Sequence, residues 1–154
     1  MPTINNVFSS DGLLAGAIKG FVPREAQTEM AKAVKRAIDT TGSLIVEAGT
    51  GTGKTFAYLA PALLSDGKAI VSTGTKNLQE QLFHRDLPLV KKALGSKRKT
   101  ALLKGRSNYL CLHRVAQHSG NSTLVEKEVL GQLSEVKRWS STTKTGDMGE
   151  LKTL

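Results

Sequence analysis

The stretch Glu47-Ala48-Gly49-Thr50-Gly51-Thr52-Gly53-Lys54-Thr55-Phe56 alternates glycine with threonine directly ahead of a Lys-Thr pair. Glycines at this spacing strip side chains from the backbone, so that successive N–H groups can converge on phosphate oxygens. Lys54 can reach the β- and γ-phosphates of a nucleotide, and the Thr55 hydroxyl can ligate Mg²⁺. Such a loop carries meaning only between a buried strand and a helix. The pattern offers both: Leu44-Ile45-Val46 ahead of it and the apolar run Phe56–Leu64 behind it. Ala48 stands where the strict pattern has its first glycine, and an alanine fits there sterically. The segment therefore reads as an ATP phosphate site made of Ala48, Gly49, Thr50, Gly51, Thr52, Gly53, Lys54 and Thr55. Lys54 and Thr55 are the two residues placed to act on the transferring group and its metal.

Working outward, strands and helices alternate. Residues 1–10 read as a loose leader, and Leu13–Ile18 as one or two helical turns. Arg24–Asp39 reads as a helix, with Ala26, Met30, Ala33, Val34, Ala37 and Ile38 at helical spacing after Pro23. Residues 43–47, 68–72 and 100–103 read as short buried strands. Thr75–Leu94 reads as a helix in which Pro88 starts a new helix or a kink. Ser107–Gln117 and Thr123–Trp139 read as helices, and 140–154 as loose polar chain. This order predicts an α/β fold, a parallel sheet with helices on both faces. The expected division is a motor-type domain over 11–103 and the start of a second domain over 104–154.

The chain has 154 residues and a net charge of +9, and the placement of that charge is uneven. Residues 1–75 hold 7 basic and 6 acidic side chains, whereas residues 76–154 hold 15 and 7. The run Lys91–Arg114 contains Lys91, Lys92, Lys97, Arg98, Lys99, Lys104, Arg106 and Arg114 and neither Asp nor Glu. Such a block attracts polyanions by counterion release, although a solvated basic surface would look the same. One cysteine, Cys111, excludes an internal disulfide framework and fits a reducing compartment. The sequence holds no apolar run long enough for a membrane span, and a cytoplasmic location is expected.

Phosphate binding alone does not choose among kinases, transporters, GTPases and helicases. Four segments together resemble the iron–sulfur helicases of superfamily 2, within them the bacterial DinG/YoaA type, XPD-like, with the YoaA subgroup the closest likeness. Phe21-Val22-Pro23-Arg24-Glu25-Ala26-Gln27 is similar to the family's Q motif. There a glutamine reads adenine through an amide carrying both a donor and an acceptor, which implies Gln27, with Arg24 beside it, as the adenine grip. The phosphate loop, followed by Tyr58-Leu59-Ala60-Pro61-Ala62-Leu63, is the second segment. Ser72-Thr73-Gly74-Thr75-Lys76-Asn77-Leu78-Gln79-Glu80-Gln81-Leu82 resembles motif Ia. The likeness implies DNA-backbone contacts from Thr73 and Thr75, although a Ser/Thr cluster there is equally a helix cap. Ala101-Leu102-Leu103-Lys104-Gly105-Arg106-Ser107-Asn108-Tyr109-Leu110-Cys111-Leu112 resembles the run carrying the first cysteine ligand of the family's [4Fe–4S] cluster. That implies Cys111 as an iron ligand, with Lys104 and Arg106 favouring a thiolate and meeting DNA.

The resemblance implies an ATP- and Mg²⁺-dependent 5′-to-3′ DNA helicase acting on single-stranded or forked DNA in repair, with a possible replication or repair protein as partner. The rivals are a P-loop ATPase or kinase that does not act on nucleic acid, and a non-enzymatic basic nucleic-acid-binding fragment. Phosphoryl transfer also needs a second carboxylate on Mg²⁺ and a group that positions water. The family takes these from an Asp-Glu-Ala-His segment, and a cluster takes four cysteines; the sequence has no such segment and one cysteine. The expectation is an N-terminal piece of such a helicase, in which an incomplete RecA-like domain runs into the start of a cluster domain.

Overall fold

The computed structural model describes residues 2–118 and 127–151. The chain divides into two compact units, Met1–Ala101 and Leu102–Leu154.

In the first unit, the opening residues are not a loose leader. Ile4–Phe8 form helix α1, capped by the Thr3 side chain, which accepts from the Asn6 backbone N–H. Ile4, Val7 and Phe8 are all buried. They lie at i, i+3 and i+4, the spacing that places side chains on one helical face. Helix α2 covers Leu13–Ala17 and buries Leu14. Helix α3, Glu25–Asp39, starts after Pro23 and buries Gln27 and Ala31. Helix α4, Lys54–Leu64, carries Ala57, Leu59, Ala60 and Pro61 into the core. Helix α5, Lys76–Gln81, is capped by Thr75, whose hydroxyl accepts from the Leu78 N–H at 3.3 Å.

Between α5 and helix α6, Leu87–Ala93, residues Leu82–Asp86 form one π-turn. Pro88 explains it. A proline has no N–H for the carbonyl four residues back, and its ring crowds that carbonyl. Widening the preceding turn relieves the crowding without ending the helical path. The core joins α1–α4 to α6 through Phe8, Leu14, Ala31, Ala60 and Val90.

The segments expected as buried strands are corrected in one respect. They carry no regular secondary structure: among the described residues no strand ladder forms, and apolar side chains face solvent, with Ile45 99% and Ile70 96% exposed. The reason is cooperative. A strand is held by the strands beside it, and these short segments are not paired with one another. The second unit also departs from expectation. Arg106–Asn108 form a 3₁₀ turn, and the helix of this stretch is α7, Leu112–His118. Helix α8 runs over Lys127–Ser140; the expected start at Thr123 lies outside the described residues. Residues 141–151 are not loose. Tyr109 and Asp147 form an antiparallel bridge, Leu110 N–H donates to the Gly146 carbonyl at 2.8 Å, and Thr145 donates to Glu150 at 2.7 Å.

Candidate nucleotide site

Gly51 and Gly53 adopt φ of +76° and +80°. These left-handed values cost L-residues with a Cβ about 1–2 kcal/mol and glycine little. Gly53 is the N-cap of α4, so the chain passes from the glycine turn straight into an eleven-residue helix. The helix therefore presents its positive end at the loop, as phosphate binding requires. The Lys54 ammonium folds back over the turn and donates to the Ala48 carbonyl at 2.7 Å and to the Gly49 carbonyl. Thr52 closes the turn by donating to the Gly49 carbonyl at 3.0 Å.

The residues expected to grip adenine lie against this loop. Gln27, on the first turn of α3, is 4% exposed, and its amide nitrogen donates to the Gly53 carbonyl at 2.9 Å. The Arg24 guanidinium donates to the Gly51 carbonyl. A Cβ on residue 53 would run into the Gln27 amide. Gly53→Ala is therefore expected to cost at least the left-handed penalty of about 1–2 kcal/mol. A thermal melt checks this, and an unshifted midpoint would contradict the tight Gly53–Gln27 contact.

Thr55 lies one turn before Tyr58 on α4 and acts on its phenol. Burial raises the Tyr58 pKa above the ordinary phenol value and the nearby Asp86 charge raises it further, while Thr55 opposes them. Tyr58 thus remains a neutral hydroxyl. Asp86 is itself 4% exposed, held by Arg85 Nε at 2.9 Å and Gln81 Nε2 at 3.3 Å. Neither Tyr58 nor Asp86 stands out in the sequence, where one reads as core and the other as a helix-surface charge.

The remaining expected residues are distributed. In the first unit Thr73 donates to the Thr75 carbonyl at 3.3 Å, and Thr75 caps α5. Lys92, Lys97 and Lys99 are exposed. Arg98 is not available in the same way: its guanidinium donates to the carbonyls of Ser65 and Gly67 and so staples the end of α4. In the second unit Lys104 forms an ion pair with Asp147 at 2.5 Å, with side-chain exposures of 9% and 14%. Arg106 and Cys111 are exposed. Among the described residues no group of three or more His, Cys, Asp or Glu could hold a metal ion. A [4Fe–4S] cluster therefore does not fit on these residues alone. No helix among them is long and apolar enough to cross a membrane.

The DEAD/DEAH box helicase family model matches residues 24–146. A Haemophilus influenzae protein named ATP-dependent DNA helicase YoaA is 59% identical over 147 residues, 96% of this chain and 23% of that protein. The Escherichia coli protein of the same name is 53% identical over 92% of this chain and 22% of its own length. ATP-dependent helicase DinG of Mycobacterium tuberculosis is 41% identical over 90% of this chain and 24% of its own length. The chain thus spans under a quarter of the length of these relatives. No solved structure matches it.

Proposed function

The chain belongs to the DEAD/DEAH box helicase family, and from that premise we propose that it is the nucleotide-gripping part of an ATP-dependent 5′-to-3′ DNA helicase acting in repair. The observation that carries this reading is the left-handed Gly51/Gly53 turn feeding α4, with Lys54 folded over it and Gln27 and Arg24 against it. Ala48–Thr55 hold the phosphates of ATP. Lys54 neutralises charge on the transferring group, and Thr55 offers one oxygen to Mg²⁺. Gln27 and Arg24 recognise adenine. Residues 43–47, 68–72 and 100–103 are the strands of a RecA-like parallel sheet, completed by further strands of the whole enzyme. Water positioning and the second Mg²⁺ carboxylate come from elsewhere in that enzyme.

DNA, single-stranded or forked, is drawn by the exposed Lys92, Lys97, Lys99 and Arg106 and touches Thr73 and Thr75 through its backbone. Lys104, engaged by Asp147, holds the 143–150 segment against the run leading to Cys111. Cys111 is one thiolate of a cluster whose other ligands lie outside this chain. Single-stranded DNA is expected to raise ATP hydrolysis in a helicase of full family length carrying this sequence, with a steep loss of that stimulation at high salt. Hydrolysis that is indifferent to DNA would favour the rival ATPase or kinase reading.

A further inference from the structure

Residues 43–47 and 68–72 leave both backbone and side chains uncovered. Among the described residues, none of their backbone N–H or carbonyl groups has a hydrogen-bond partner. Side-chain exposure alternates along them. Leu44 and Val46 are 42% and 41% exposed on either side of Ile45 at 99%, and Val71 is 40% exposed beside Ile70 at 96%. Leu44 and Val46 share a groove with Met30, Val34 and Ala37 of α3. A period of two is that of a strand with one face against its own helices. Unpaired backbone groups beside apolar side chains are a template for pairing with another chain.

The two segments complement each other in one orientation. Set antiparallel and in register, they place Glu47 opposite Lys68, Ile45 opposite Ile70 and Leu44 opposite Val71. Glu47 and Lys68 are both exposed. Directly opposed residues of an antiparallel pair stand on the same face. Half-covered side chains therefore meet half-covered ones, and fully exposed meet fully exposed. A slip of one residue would break both matches. Parallel pairing would instead set Ser43 beside Lys68 and Glu47 beside Ser72. Within the chain the two segments are not paired, so the antiparallel match is open to another copy.

We propose that residues 43–47 of one copy pair antiparallel with residues 68–72 of a second copy. The contact is heterologous and does not close at two copies, so association runs past the dimer as concentration rises. The proposal rests on reading these segments as strands, not on the nucleotide site, and concerns the chain by itself.

The test is sedimentation of this chain over a wide concentration range, with the infrared band of paired β-structure recorded on the same samples. Both are expected to rise together. Ile45→Ser and Ile70→Ser should each weaken association without shifting the melting midpoint, since both side chains lie in solvent. Glu47→Lys and Lys68→Glu should each weaken it about two- to thirtyfold, the range for turning an opposed pair from unlike to like charge. The double exchange should restore it. The chain carries +9, so Lys68→Glu lowers the net charge and would strengthen a non-specific association. A chain that stays monomeric throughout overturns the proposal. So does association without the infrared band, or a double variant no stronger than the singles. Lys54→Ala is expected to leave association unchanged, so this contact and the nucleotide site fail separately.

Discussion

Lys54→Ala is expected to reduce affinity for ATP and ADP by about 10- to 100-fold, the range for losing hydrogen bonds to a charged group. The ammonium sits at the first position of α4 and already folds over the loop it serves, donating to the Ala48 carbonyl at 2.7 Å. Phosphate oxygens would replace those carbonyls with full negative charge, and a charge-assisted bond is about twice as strong as a neutral one. Stability should change little, by about 0.5 kcal/mol or less, because the side chain is half-exposed and outside the core. Nucleotide titration and a thermal melt on the same sample thus separate binding from folding. Lys54→Arg should not rescue, since a planar guanidinium does not reproduce a compact ammonium. Unchanged affinity in Lys54→Ala would remove the phosphate-loop assignment.

The phosphate loop was legible because its information is local. The alternation of glycine and threonine reports dihedrals at Gly51 and Gly53 that no distant contact has to supply. Helix α3 was legible to within one residue for the same reason, as its apolar positions recur over four turns. What was not legible depends on partners remote in sequence. Leu44–Val46 and Ala69–Val71 look like buried strands because they are apolar, yet a strand is a property of its neighbours. Arg98 looked like one more member of a basic run, but it closes on Ser65 and Gly67 more than thirty residues away. Lys104 reads in the sequence as a cation for a thiolate and for DNA, but its ammonium pairs with Asp147, more than forty residues away. Pro88 was legible as the start of a new helix, since it stands in the first turn of α6, but the π-turn that precedes it was not.

Phe8→Ala is expected to destabilise the first unit by about 3–5 kcal/mol, the usual cost of truncating a buried aromatic side chain. Polar neighbours and a helix of five residues disguise this position in the sequence, yet Phe8 is 1% exposed in a core shared with Ala31 of α3 and Ala60 of α4. A loss of that size is a large fraction of the about 5–15 kcal/mol that holds a domain together. For a unit of this size the melting midpoint should fall by at least about 12 °C. The nucleotide site should feel it indirectly, since α3 carries Gln27 and α4 carries Lys54. Apparent ADP affinity should fall as temperature approaches the lowered midpoint and match the parent well below it, because folded protein alone binds. A Phe8→Ala variant that melts with the parent would mean that residues 1–10 are loose after all, and α3 and α4 would then have to be aligned by contacts other than α1.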